Sequence, residues 1–200
     1  MKATHPTKQR LIDVTVALLE EKQPHEVQVD EILETSGISK GSLYHHFTDL
    51  QELLEVALTV RYSRYVDLSI SFMANELIVK TKEELYQGLV RLTELTQDPN
   101  RAKYRFERAR ALSLAEGNPR FAKMLGEEQA RLTSSLADIT HDLQNKGLVS
   151  KKYSAEVIAT YIQTYTLGIV INDITIEPID IHSWRAVIND IAKFVFLDPE

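Results

Sequence analysis

Residues 29–47 restrict this chain more than any other stretch. Val29, Ile32 and Leu33 recur at i, i+3 and i+4, the spacing of one inward stripe on a short helix. Asp30 and Glu31 fall in its first turn, where the helix dipole favours negative charge. Gly37 supplies a left-handed cap. Ser39 stands where a second short helix needs an N-cap, and the inward residues of that helix are Leu43 and Phe47, at i and i+4. Ile38 fills the angle between the two helices. With Leu43 and Phe47 inward, Lys40, Gly41, Tyr44 and His45 point away, with Ser42 and His46 at the flanks. The outward face is polar, aromatic and rich in donors.

The rest of the chain reads as helix. Leu11, Val14, Leu18 and Leu19 form one stripe that Gln23-Pro24 stops. Asp49 and Glu52 have capping-box spacing and open a helix to about residue 77. Thr81 and Glu84 repeat the pattern for a helix to about residue 96, broken at Asp98-Pro99-Asn100. A helix over 100–116 stops at Gly117-Asn118-Pro119, and Pro119 suits the first position of the next, which ends near Gly147. Ser154 caps a long apolar helix to about residue 174, and Pro178 separates it from a last one over 181–197. The β-branched runs at 169–171 and 174–176 continue the helical pattern of Tyr161, Ile162 and Tyr165 and are read as helix. About nine helices and no strand pair result. The expected fold is all-α, a three-helix head followed by a helical bundle. Seven glycines and six prolines are too few for a many-turned all-β chain of 200 residues.

Composition removes several function classes. With no cysteine, a disulfide scaffold, a thiolate zinc site and a cysteine nucleophile are excluded. His45 and His46 are adjacent and diverge by about 100° on a helix. No paired carboxylate supports them as metal ligands, so neither metal nor cofactor is expected. No HExxH, GxSxG or glycine-rich phosphate loop occurs, and His141-Asp142 stands alone, so no catalytic set is assigned and the chain is not read as an enzyme. The first residues are polar and the longest apolar run lies near 167–171, so no membrane partner is expected and a soluble, cytoplasmic protein is. The net charge is -6, and residues 1–50 carry five Lys or Arg against eight Asp or Glu. Any surface for nucleic acid is therefore a local patch rather than half of the molecule.

Two short helices joined through Ser36-Gly37-Ile38-Ser39 have the form of a helix-turn-helix, whose second helix enters the DNA major groove. The outward face supplies donors for phosphate oxygens and base edges, and a flat ring for a thymine methyl. The run Gly37-Ile38-Ser39-Lys40-Gly41-Ser42-Leu43-Tyr44-His45-His46-Phe47 closely resembles the core signature of the TetR family of bacterial transcriptional repressors, and Ile32 and Leu53-Leu54 fit it too. The resemblance covers roughly residues 4–64. It implies a DNA-binding domain over 1–48, an effector-binding and dimerisation domain over 49–200, and a homodimer on a double-stranded operator. It places Ser39, Lys40 and Gly41 near base edges and backbone, Ser42 and Tyr44 on phosphates or thymine, His45 at a variable outward position and His46 on a phosphate. Three positions depart from the pattern. Val27 and Gln28 stand where Thr or Ser is usual, leaving Gln28 as the phosphate-contact candidate. Gln23-Pro24 replaces a glycine. Leu50 replaces a lysine after the recognition helix, a loss for which Lys2, Lys8 and Arg10 are candidates to compensate.

The body is less informative. Phe72, Tyr86, Tyr104, Arg105, Arg108, Phe121 and Met124 are candidates to line a pocket for a small-molecule effector. The competing structural reading makes the aromatics and Met core, and sets Arg108 and Arg110 on a solvated face beside carboxylates. Tyr161, Tyr165, Ile169, Trp184, Val187 and Ile191 belong to two broadly apolar helices, which the resemblance places in a four-helix bundle across a two-fold axis. The leading functional expectation is a repressor released from its operator by an effector. The alternative is a DNA-bound protein of the same fold that recruits a protein partner without a small ligand.

Overall fold

The computed structural model describes residues 5–197. Among them the chain forms ten α-helices and no strand: α1 (Pro6–Glu21), α2 (Val29–Ser36), α3 (Lys40–His46), α4 (Leu50–Glu76), α5 (Lys82–Thr96), α6 (Ala102–Ala115), α7 (Pro119–Asn145), α8 (Ala155–Gly168), α9 (Val170–Asp173) and α10 (Ile181–Phe196). Nine of these match the helices read from the sequence. The tenth, α9, is a single turn. The long helix expected to reach residue 174 is interrupted after Gly168, a residue that favours helix weakly, and the turn that follows ends on Asp173, which another helix holds.

The chain forms two compact units. The first comprises residues up to Tyr65 together with Leu114–Glu128; the second comprises Val66–Ser113 and the residues from Gln129 onward. The boundary expected at 48/49 thus lies inside the first unit. The reason is packing: Leu53, Leu54 and Ala57 of α4 are buried in one core with Leu11, Val14 and Leu19 of α1, Ile32 of α2, and Leu43 and Phe47. The first turns of α4 therefore belong to the head. Val27 and Leu50, two of the departures from the family pattern, join the same core, Val27 fully and Leu50 in part.

Local signals end the helices as the sequence indicates. Gly37, Gly117 and Gly147 have positive φ. The Thr81–Glu84 box is reciprocal, with Glu84 N–H donating to Thr81 Oγ1 at 3.1 Å and Thr81 N–H to Glu84 at 3.2 Å. At α4 the box is displaced by one residue. Asp49 accepts from Glu52 N–H at 2.6 Å, but Glu52 reaches back to the N–H of Thr48, at 2.7 Å, and also accepts from the Thr48 hydroxyl.

A buried carboxylate joins two helices of the first unit. Glu55 on α4 is almost fully enclosed. It accepts from Arg120 Nε at 2.5 Å, Asn118 Nδ2 at 2.5 Å and Gln51 Nε2 at 3.1 Å. Asn118 also caps α7, accepting from Phe121 N–H at 3.0 Å. Burial pushes the Glu55 carboxyl up, and the three hydrogen bonds outweigh it, leaving the group below its ordinary value of 4.5.

Within the second unit, Arg105 on α6 forms a bidentate pair with Asp173, at 2.6 and 2.7 Å, and its Nη1 donates to the carbonyls of Thr96 and Asp98, both at 3.0 Å. Trp184 on α10 donates its indole N–H to Gln97, at 3.0 Å. Gln144 closes the turn after α7 by donating to the carbonyls of Ser150 and Tyr153.

The Glu55 cluster sets a pH-dependent stability. A folded-state value below 4.5 means that its contribution is complete above that pH and is lost as pH falls through the folded value. Glu55→Gln is expected to destabilise the protein at about pH 7 by roughly 1–3 kcal/mol, the cost of losing charge-assisted bonds to a buried group. The gap from the wild type narrows at about pH 3.5, and urea unfolding at the two pH values measures it.

Candidate nucleic-acid interface

The recognition element is positioned from below. Ser39 caps α3, its Oγ accepting from Ser42 N–H at 3.2 Å. Gly37, with φ 70° and ψ 15°, ends α2 and sets the angle between the two helices. The Ile38 N–H donates to Ser36 Oγ at 3.2 Å, and the Ile38 side chain is half-buried against the head core. Leu43 is fully buried and Phe47 nearly so, so α3 is anchored along one edge.

That anchoring turns the other edge outward. Lys40, Gly41 and His45 are exposed, Tyr44 keeps 45% of its surface, and Ser42 and His46 lie half-buried at the flanks. The face expected from the sequence is therefore a single rim. A Cβ built on Gly41 meets nothing within 4 Å. The subunit's own packing thus makes no demand for glycine there, although glycine is a poor helix former.

The rim is bordered by basic groups from α1. His5 precedes α1, and its Nδ1 accepts from Thr7 N–H at 3.3 Å. The His5 and His46 ring centroids are 4.9 Å apart, and His45 and His46 are 5.1 Å apart, edge to face. The Lys8 ammonium lies 5.0 Å from the centre of the Phe47 ring. Partial burial, followed by repulsion from His5, His45 and Lys8, holds the His46 imidazolium below its ordinary 6.5. Sequence reasoning singled out Lys8 but missed His5, which lies outside the signature. Arg10 is exposed on α1, and Lys2 lies outside the described residues. Gln28 is exposed at the start of α2 and its side chain makes no capping bond.

The residues expected to bind an effector are not gathered into one unit. Phe121 and Met124 belong to the first, with Phe121 buried. Phe72, Tyr86, Tyr104, Arg105 and Arg108 belong to the second. Tyr104 is exposed, and Phe72 and Tyr86 are half-buried. Arg105 is engaged by Asp173 and two carbonyls, a structural role. Arg108 is buried, not on the solvated face that the structural reading gave it, because its turn of α6 points inward beside Arg105 and Ala111.

The apolar residues of the last helices divide. Ile169 is buried within its own unit. Burial pushes the Tyr165 phenol up to about 12. Tyr161 and Trp184 are half-buried. Val187 and Ile191 remain exposed, and with Phe194 they form an i, i+4, i+7 stripe on α10, Val187 at 50% and Phe194 at 62% exposure. Val157 on α8 and Ile171 on α9 are exposed too. Among the described residues no group of three His, Asp or Glu side chains is arranged to hold a metal ion, and no helix is long and apolar enough to cross a membrane.

Comparison with known proteins agrees with this geometry. The family model for "Bacterial regulatory proteins, tetR family" matches residues 11–57, which span α1 to the first turns of α4. The chain is 23% identical over 185 residues to the HTH-type transcriptional regulator UidR of Escherichia coli (strain K12), covering 87% of this chain and 84% of that one. The fold matches that of Salmonella enterica GusR with a TM-score of 0.65 at 21% identity, over 98% of each chain. It also matches a putative transcriptional regulator from Saccharomonospora viridis in complex with choline, with a TM-score of 0.64 at 21% identity, over 96% of this chain and 98% of that one. Residues 11–57 thus carry the helix-turn-helix head of the tetR family of bacterial regulatory proteins, and the likeness over most of the chain to HTH-type transcriptional regulators supports a TetR-family helix-turn-helix transcriptional regulator.

Proposed function

We propose that the protein is a cytoplasmic, homodimeric repressor that reads a two-fold operator through α3 and leaves it when a small molecule binds the body. The exposed rim of Lys40, Gly41, Tyr44 and His45, held out by the buried Leu43, carries this reading. Ser39 and Lys40 are assigned to backbone and base edges at the helix start, Tyr44 to a thymine methyl or phosphate, and Ser42 and His46 to phosphates at the flanks. The functional division is a DNA-binding head over 1–48, supported by the first turns of α4, and a regulatory body over the remainder. It is a regulator and not a catalyst.

The apolar stripe Val187, Ile191 and Phe194, with Val157 and Ile171, supports the dimer. Exposed side chains of this size in a row favour burial against a partner. A two-fold pair presents its recognition helices about 34–36 Å apart or a multiple of that, one DNA turn. Release requires an effector that binds two arrangements of the chain unequally. Helices α4 and α7 both run without a break through residues of both units, and Glu55 with Arg120 ties them together in the first. The solved complex of the S. viridis regulator with choline supports a small organic effector as a class.

Selection from a random duplex library tests the function. It is expected to enrich one inverted repeat with half-site centres spaced by about one helical turn or a multiple. Failure to enrich any sequence contradicts the proposal. Two variants examine the rim. Gly41→Ala is expected to keep or slightly raise the melting temperature, since the added methyl meets nothing, while weakening operator binding by about tenfold or more through a clash with DNA. Lys40→Ala is expected to reduce the slope of log affinity against log salt by about one, as measured by fluorescence anisotropy.

A further inference from the structure

The three imidazoles at the edge of the rim come from two helices and form one cluster. His5 begins α1, and His45 and His46 end α3, with ring centroids 4.9 and 5.1 Å apart. Lys8 stands one turn along α1 from His5, its ammonium over Phe47, the neighbour of His46. Basic side chains gathered this closely around one lysine favour an anion between them. Among the described residues, no carboxylate forms an ion pair with Lys8 or with any of the three rings. The acidic groups on the elements packed around them are engaged elsewhere or exposed. Glu52 at the start of α4 lies within electrostatic reach of Lys8 but is held by the N–H and hydroxyl of Thr48. Asp49 caps Glu52 and lies 3.6 Å from Arg120. Glu31 on α2 is paired with Lys22 at 2.5 Å, and Asp13 on α1 accepts from Gln9. Asp30 and Glu34 on α2 are exposed.

We propose that His5 joins His46 and Lys8 in one phosphodiester-binding site at the head, and that occupation of this site by a DNA phosphate takes up one proton from solvent at His46. The proposal rests on the DNA-binding reading and adds a residue and a charge change to it. The two rings have different roles. His5 uses Nδ1 to accept the Thr7 N–H, which leaves Nε2 as the nitrogen able to donate to a phosphate oxygen. His46 has no such constraint. In the free protein, partial burial and its basic neighbours keep it neutral near pH 7. A phosphate oxygen within hydrogen-bonding reach reverses that balance and favours the imidazolium. The bound complex therefore holds a proton that the free protein lacks. Affinity rises as pH falls through the bound-state value and levels off below the free-state value.

The test measures binding of a labelled random-sequence duplex of about 30 base pairs at about 50 mM salt, where phosphate contacts dominate, from about pH 8 to about pH 5.5. The wild type is expected to gain affinity on acidification, approaching about tenfold per pH unit where the proton is taken up. His46→Gln is expected to flatten that dependence. His5→Asn keeps a good N-cap, so the fold is retained, and is expected to weaken binding by about three- to tenfold at every pH. His141→Asn, in the second unit, is expected to change neither. Calorimetry of the wild type in two buffers of different ionisation enthalpy counts the protons directly and needs no variant; the expected uptake at about pH 6.5 is about half to one. Wild-type affinity in His5→Asn removes His5 from the site. Zero proton uptake, or an unchanged slope in His46→Gln, overturns the proton linkage and leaves DNA binding standing. Absence of binding at every pH overturns both this proposal and the regulator reading.

Discussion

The burial of Leu43 and Phe47 holds the rest of the head in place. These two side chains pack with Leu11 of α1, Ile32 of α2 and Leu53 of α4, so four helices share one core around the shortest of them. A seven-residue helix is too short to persist alone in water. It exists because one edge is anchored and its first turn is capped by Ser39. Once Leu43 points inward, helical geometry turns Gly41 and His45 to the opposite side and Tyr44 to the flank, while Lys40 is exposed because it opens the helix, one turn before Leu43. The exposed rim follows from hydrophobic packing beneath it.

Much of this was legible because the relevant signals are local. The caps at Ser39, Thr81 and Ser154, the left-handed glycines at 37 and 147, and the inward pair at i and i+4 each involve residues within a few positions of one another. The misreadings are instructive in the same terms. Glu52 chose the Thr48 N–H over that of Asp49, a shift of one residue that the pattern alone does not resolve. Val27 and Leu50, which stand where the family pattern has phosphate-contacting residues, contribute to the head core, where an apolar side chain is favoured; the signature alone did not show that use. The partners that decided the remaining cases are distant in sequence. Arg105 meets Asp173, and Glu55 meets Asn118 and Arg120, across more than sixty residues in each case. No periodicity in α6 or α4 announces a buried charge, because its compensation lies on another helix.

The electrostatics of the head reconcile an acidic chain with an anionic partner. With a net charge of -6, long-range attraction to DNA is weak or absent, and binding must rely on short-range contacts at one place. Several carboxylates of the head are engaged within it. Glu55 is enclosed by three donors, Glu31 is paired with Lys22, and Asp49 and Glu52 cap α4. What faces outward around α3 is then lysine, tyrosine and imidazole. Engaged acids around α3 and exposed donors on it together make a local donor-rich surface that composition conceals.

Amide chemical-shift mapping of the protein titrated with a duplex bearing its selected operator tests the central claim most directly. The account predicts the largest changes at Lys40, Gly41, Tyr44 and His45, with smaller ones at the start of α1 and little along α10. Changes concentrated on the body helices, with the amides of α3 unmoved, would contradict it.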